Sequence, residues 1–464
     1  MVEYMAPIMF AGLIVFLLVG FPVAFSLMAL GLFFGFISIQ AGLFTADFLS
    51  NLPLRVFGIV SNDLLLAIPF FTFMGTVLER TGLAEDLLES AGQLFGSVPG
   101  GLAYAVIIVG AIFGAISGTI AASVIALGMI ALPAMLRYGY HVKTATGVIA
   151  ATGTITQLVP PSLTLLVLAD QLGKPVGDMY AGAIGPSIVQ TGVFMLYILA
   201  LAWLRPHWVP PLPPEARTLR GWVLCKRVLW GVVPAMSLIF LVLGTIFLGL
   251  ATPTEAGAMG AVGAVGLAAI RGRLTRSLIW QGMETTMRLS SMVIFILIGA
   301  TVFSLVFQGV NGPHWVEGLL GDLPGGQVGF LIVVSLFIFV LAFFLDFFEI
   351  AFIVVPLLAP VAQKLGIDLI WFGVLLCVLL QTSFMHPPFG FALFYLRSIT
   401  PPHIRSGEIY LGALPWVGLQ LIVVILVITM PQLVTMFFDA GPVIDMEKAG
   451  EDARRQIERA LQPQ

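Results

Sequence analysis

Charge is scarce in this chain: only 10% of its 464 residues are Asp, Glu, Lys or Arg. A soluble domain carries about 25%, so most of this chain cannot face water. Cysteine is nearly absent as well, and the two present, Cys225 and Cys377, cannot form a disulfide framework. No GxxxxGK[ST] loop occurs, which excludes ATP hydrolysis by the phosphate-loop route. The net charge of −3 comes without a basic stripe or aromatic-basic interleaving, so nucleic acid is not a partner. The first seven residues contain Glu3 and no Lys or Arg, which argues against a secretory signal and for a retained first span.

What is abundant is apolar. Hydrophobic residues make up 59% of the chain, and the mean hydropathy is +1.06. This composition implies an all-α polytopic membrane protein. Spans are expected near 7–19, 23–39, 63–77, 142–169 and 183–204, and again near 228–248, 254–269, 289–307, 371–396 and 411–437. Two further apolar stretches, 101–136 and 328–363, are interrupted in the middle, at Ser117-Gly118-Thr119 and at Leu345-Asp346. Their arms, about 16 to 18 residues each, are marginal for a ~30 Å hydrocarbon core. Each stretch is therefore expected to be a re-entrant hairpin.

The chain repeats its punctuation. Pro133, Gly139, Pro160 and Pro161 recur 227 residues later as Pro360, Gly366, Pro387 and Pro388, and Gly82 recurs as Gly309. Each Pro-Pro pair must break a helix, because a proline nitrogen cannot donate and its ring clashes with the preceding turn. Inside a bilayer such a break survives only where protein or a water-filled cavity satisfies the backbone. One break in each half of a repeated chain points to a secondary transporter's binding site. The expected organisation is a first repeat over 1–204 with its broken helix at 142–171, a linker over 205–227, a second repeat over 228–437 with its broken helix at 369–397, and a polar tail over 438–464.

The linker holds Arg205, Arg217, Arg220, Lys226 and Arg227 against one acid, Glu215, so the positive-inside rule places it in the cytoplasm. Counting crossings from there puts both termini outside and Arg137, His141, Lys143, Arg271, Arg273, Arg276, Arg397 and Arg405 inside. An odd number of crossings in the first half inverts the second, and the hairpins then enter from opposite faces.

At a break, carbonyls are freed upstream and N–H groups downstream. With Thr and Ser hydroxyls the carbonyls make an oxygen cage suited to Na⁺, and the positive ends of restarted helices suit a carboxylate. Cation ligands are expected from Ser117, Gly118, Thr119, Gly153, Thr154, Val159 and Pro160 in the first half, and from Leu345, Asp346, Thr382, Met385 and Pro387 in the second. Thr119, Gln157, Ser162, Glu349, Ser383 and His386 are expected to meet the substrate. No cofactor is expected, with sodium the only metal and acting as coupling ion. Plainer roles compete: Thr154, Thr156 and Ser383 can tie helices together, Glu349 can be a satisfied core acid, and Glu255 can cap its helix near the outer surface. Asp346, Glu349 and His386 also admit proton coupling. An intramembrane hydrolase would pair Ser117 with His386, but Ala115-Ile116-Ser117-Gly118 lacks the first glycine of a GxSG motif. A passive channel would need a continuous polar lining.

The runs Ser117-Gly118-Thr119-Ile120-Ala121-Ala122-Ser123, Ala145-Thr146-Gly147-Val148, Gly153-Thr154-Ile155 and Leu158-Val159-Pro160-Pro161-Ser162 resemble the large membrane subunit of tripartite ATP-independent periplasmic (TRAP) transporters. So do Ala67-Ile68-Pro69-Phe70-Phe71 and Ala251-Thr252-Pro253-Thr254-Glu255. The resemblance implies a sodium-coupled importer of an organic anion in the bacterial inner membrane, with an elevator-type transport domain inside a scaffold. It also implies two partners, a soluble periplasmic binding protein and a small four-helix membrane subunit, the latter expected as a separate polypeptide. The segments Leu345-Asp346-Phe347-Phe348-Glu349-Ile350 and Gln381-Thr382-Ser383-Phe384 are similar to a branch labelled for mannitol or chloroaromatic compounds. His386 stands where the family usually has Thr.

Overall fold

The computed structural model describes residues 4–219, 221–321, 323–343, 345–386 and 390–438. The Ser117 side chain, Pro387, Pro388 and the tail from 439 onward lie outside the described residues, and so does the expected placement of the C-terminus. Every regular element among the described residues is a helix. Eight helices are long and apolar enough to cross a membrane, or nine if the bent pair Ala46–Val60 and Asp63–Glu79 is one span.

Among the described residues the expected spans fall on helices apart from the breaks, with informative differences at their ends. The span expected at 289–307 lies inside Arg276–Gly309, a helix of 34 residues, roughly 50 Å long against a ~30 Å hydrocarbon core. Hydropathy reports only the lipid-embedded part. The remainder is capped by Thr275, whose hydroxyl accepts from Leu278 N at 3.1 Å, and carries an Arg288–Glu284 ion pair at 2.7 Å. The last span ends at Thr429 rather than 437, because Pro431 disfavours helix at the residue before it. Helices at Leu83–Phe95 and Gly312–Leu320 were not expected. Leu83–Phe95 carries Glu85, Asp86 and Glu89 against an apolar face, and Gly312–Leu320 has only nine residues, so neither reads as a span.

Small residues set the packing. A Cβ on Gly31 of the Val23–Gln40 helix would run into the backbone between Val302 and Phe303, which lets that helix lie directly on Arg276–Gly309. The Pro253–Ile270 helix packs in the same way on Ala67–Glu79. It starts with a capping box in which Thr252 Oγ1 accepts from Glu255 N and Glu255 Oε2 accepts from Thr252 N, so Glu255 has the capping role.

The two hairpins are rooted at opposite ends of the bundle. At one end the linker lies along the base of the first hairpin: Gly100 N donates to Val209 O at 2.8 Å and His141 N to Trp208 O at 3.0 Å. Arg271–Asp86 at 2.6 Å and Arg227–Glu89 at 2.8 Å close the same end. At the far end of Arg276–Gly309, Arg55 donates to Gln308 Oε1 at 3.1 Å. There the base of the second hairpin is tied down through Lys364 and Glu317.

Candidate functional site

The first broken helix stops at Ile155 and restarts at Leu163. Ser162 caps the restart: its Oγ accepts from Leu165 N at 3.4 Å and donates to Gln157 O. Gln157 O also accepts from Cys377 Sγ at 3.2 Å, Leu158 O accepts from Ser187 Oγ at 3.2 Å, and Ser162 O, which starts the restarted helix, accepts from Tyr180 at 3.3 Å as well. The carbonyls of Val159 and Pro160 receive no hydrogen bond from the described residues. The carbonyls of Thr156 and Pro161 in the same break likewise receive none from the described residues, so the break holds several backbone oxygens free to accept.

The first hairpin consists of Gly101–Ser117 and Ile120–Arg137. Gly118 makes the turn at φ +65°, which a side chain would strain, and the turn packs beside Leu163 at the restart of the broken helix. Thr119 precedes the returning arm without a cap hydrogen bond from its side chain, so its half-buried hydroxyl is not spent on its own helix. Gly153 and Thr154 are placed differently. Gly153 gives room to Val124, and its carbonyl accepts from Thr156 Oγ1 at 2.9 Å. Thr154 donates to Ala151 O at 2.8 Å and accepts from Gln420 Nε2 at 2.9 Å, so its hydroxyl joins helices.

The second hairpin differs at its tip. Its first arm is Gly326–Leu341, and its return begins with Phe347–Glu349, passes a wide π-type turn over Ile350–Val354, and continues as Val355–Lys364. Asp346 caps the return, at the position that matches Thr119, and forms a reciprocal box with Glu349. Leu345 is buried beside it. The second broken helix stops at Ser383 and restarts at Phe391. Thr382 and Ser383 hydrogen-bond back to Leu379 O and Leu380 O at 2.7 and 2.5 Å, as residues that knit their own helix do.

The two breaks meet. Met385 Sδ lies 3.9 Å from Thr154 Oγ1, and Cys377 of the second broken helix reaches Gln157 O of the first. At this junction the side-chain amide of Gln157, 4% exposed, and both ring nitrogens of His386, 3% exposed, have no hydrogen-bond partner among the described residues. Leaving such groups unpaired costs about 1–3 kcal/mol each by protein measurements, and partly unpaired amides at Gln190, Gln381 and Gln420 lie behind them. His386 stacks on Phe343 and meets the edge of Phe339, each at 4.3 Å. Four features were missed in the sequence: Gln190, Gln381 and Gln420, buried amides behind the breaks, and Arg55, which lines a cavity of about 140 Å³ with Thr301, Ser304 and Pro356. A lone amide in an apolar run and an Arg flanking a span were the available signals.

The chain as a whole is similar to known proteins. The family described as "Tripartite ATP-independent periplasmic transporter, DctM component" matches residues 10–433. The chain is 30% identical over 391 residues to the C4-dicarboxylate TRAP transporter large permease protein of Pseudomonas aeruginosa, covering 84% of this chain and 89% of that one. It is 28% identical to the sialic acid TRAP transporter large permease protein of Vibrio cholerae, covering 90% and 94%. It is also 28% identical to the isethionate TRAP transporter permease protein DctMQ of Oleidesulfovibrio alaskensis, covering 93% of this chain and 66% of that protein. In fold it is similar to the YdaH transporter of Alcanivorax borkumensis, with TM-score 0.62, 16% identity, and 84% and 91% of the two chains covered. The matched relatives are transporter permease subunits rather than enzymes. The chain is a multi-span membrane protein of the TRAP family, a member of its DctM large permease component.

Proposed function

We propose that this chain carries an organic acid, as its anion, inward across the bacterial inner membrane in symport with Na⁺. The observation that carries this reading is the junction of the two breaks. There the carbonyls of Val159 and Pro160, unbonded among the described residues, lie in the break that the Thr119 turn packs against, while the buried Gln157 and His386, without partners among the described residues, offer hydrogen bonds to a ligand. Carbonyl and hydroxyl oxygens suit a hard monovalent cation better than they suit a soft metal. Helix starts at Ser162, Thr119 and Gly390 favour negative charge, so a carboxylate can be held without a buried Lys or Arg. Asp346 is assigned to the cation side of the second half, with Thr382 and Met385, and Glu349 to the substrate side. His386 is assigned to the substrate side as well, while the Ser383 hydroxyl is taken by Leu380 O. The relatives are named for C4-dicarboxylate, sialic acid and isethionate, all acids that are anionic at neutral pH.

In this reading the halves are inverted repeats, with the linker and its arginines in the cytoplasm and the N-terminus in the periplasm. The hairpins and broken helices form the moving transport domain, and the helices around Arg276–Gly309 form the scaffold of an elevator. Substrate arrives on a periplasmic binding protein, and a small four-helix membrane subunit completes the assembly. A proton-coupled version is the second reading, favoured by the Asp346–Glu349 pair at the hairpin tip. The test is uptake of candidate carboxylates into proteoliposomes that hold this chain and the small subunit, with and without the binding protein. Saturable uptake that requires the binding protein supports the assignment. Currents through single open pores without it would replace transporter by channel.

A further inference from the structure

Thr154 and Gln381 stand 227 residues apart, at matching positions in the last turn before each break. Each is held by a glutamine from the span that follows the other broken helix. Gln420 of Ser406–Thr429 donates from Nε2 to Thr154 Oγ1 at 2.9 Å. Gln190 of Val176–Leu204 donates from Nε2 to Gln381 Oε1 at 2.5 Å. All four side chains are 0% exposed. The clamped residues also begin the loops of the breaks, since Thr154 O accepts from Gln157 N at 3.2 Å and Gln381 O accepts from Phe384 N at 3.3 Å.

The approach needed for the first clamp is built into the backbone. A Cβ on Gly147 would collide with Gly412 O and the Trp416 ring, and one on Gly412 with Lys143 O, so these helices lie in direct contact only because both positions are glycine. Trp416 is braced edge-on by Phe194 and Tyr197 of the other clamp's helix, at 4.9 and 5.1 Å. The two clamps thus form one cross-linked unit.

We propose that Gln190 and Gln420 are a matched pair of positioning residues, each fixing the helix arm that delivers one break to the coupling-ion site. The inference rests on the ion-coupled reading above. Ordinary interhelix glue would lower insertion or stability and leave ion dependence alone; a positioning role moves the ion curve.

The experiment titrates the driving cation, Na⁺ first and then protons, against initial uptake in proteoliposomes holding the chain with its small subunit. Gln420→Met and Gln190→Met remove each clamp at similar volume. The half-saturating ion concentration should rise at least about threefold while the maximal rate stays within about twofold, and Gln420→Met combined with Thr154→Val should be no worse than the worse single variant, as for partners in one interaction. An unchanged half-saturating concentration, additive losses, or failure of both Met variants to insert would overturn the proposal. Proton-driven uptake by the unaltered protein would remove the sodium reading and leave the clamps to be judged on the proton curve. Uptake that depends on neither ion would remove both.

Discussion

Asp346 and Glu349 cap each other's backbone at the tip of the second hairpin: Asp346 Oδ1 accepts from Glu349 N, and Glu349 Oε2 from Asp346 N, both at 3.1 Å. The matching turn in the first hairpin has Thr119, with no such box. One acidic tip and one hydroxyl tip make the two half-sites chemically unlike. Asp346→Asn preserves the cap, because Asn is as good an N-cap as Asp, and removes the charge. The expected result is normal membrane insertion with the half-saturating Na⁺ concentration raised at least about tenfold, ~1.4 kcal/mol. Wild-type Na⁺ dependence in Asp346→Asn would reduce the acid to a cap.

The first break supports a second prediction. Pro160→Ala with Pro161→Ala lets the helix run on and withdraws the unbonded carbonyls of Val159 and Pro160. Apparent Na⁺ affinity should fall at least about tenfold, with insertion monitored as the control for folding. Thr156→Val should cost less, because the Thr156 hydroxyl is already spent on Gly153 O. Thr119→Val should approach the double variant. A double variant that inserts and keeps its ion dependence would make the break a mere kink.

How much of this could be read from the chain depends on the kind of signal. The first break and the first hairpin were legible because Pro160, Pro161 and Gly118 act on the backbone locally, whatever surrounds them. The Leu83–Phe95 helix was not, because two of its acids, Asp86 and Glu89, are satisfied by Arg271 and Arg227, remote in sequence. Thr154 shows the same limit at the site: its type and place suited a ligand, yet its hydroxyl is shared between Ala151 O and Gln420, a partner 266 positions away. Pairings of this kind are properties of packing.

Packing against the first hairpin yields a third prediction. A Cβ on Gly110 would collide with Thr152 Cγ2, so Gly110→Ala should destabilise the solubilised protein by about 1–3 kcal/mol, the usual range for overpacking. Thr152→Ser deletes that methyl, and the combined variant should recover most of the loss in a thermal unfolding assay. Equal stability of the single and combined variants would contradict the contact.

Topology can be tested by labelling. In a Cys225→Ser background, with Cys377 buried and silent, cysteines at Arg217 and Arg273 should resist an impermeant reagent applied from the periplasm, while cysteines at Asn51 and Gly312 react. Labelling of the Arg217 position from outside would reverse the orientation assigned by the positive-inside rule.

The central claim is that Na⁺, bound where the two breaks meet, drives uptake of an organic anion. Its most direct test is initial uptake by the complete assembly in proteoliposomes with an inward Na⁺ gradient, against the same vesicles with choline in place of Na⁺ and a proton gradient imposed. The account predicts concentrative uptake in the first case and none in the second. Undiminished uptake in choline, driven by protons alone, would contradict it.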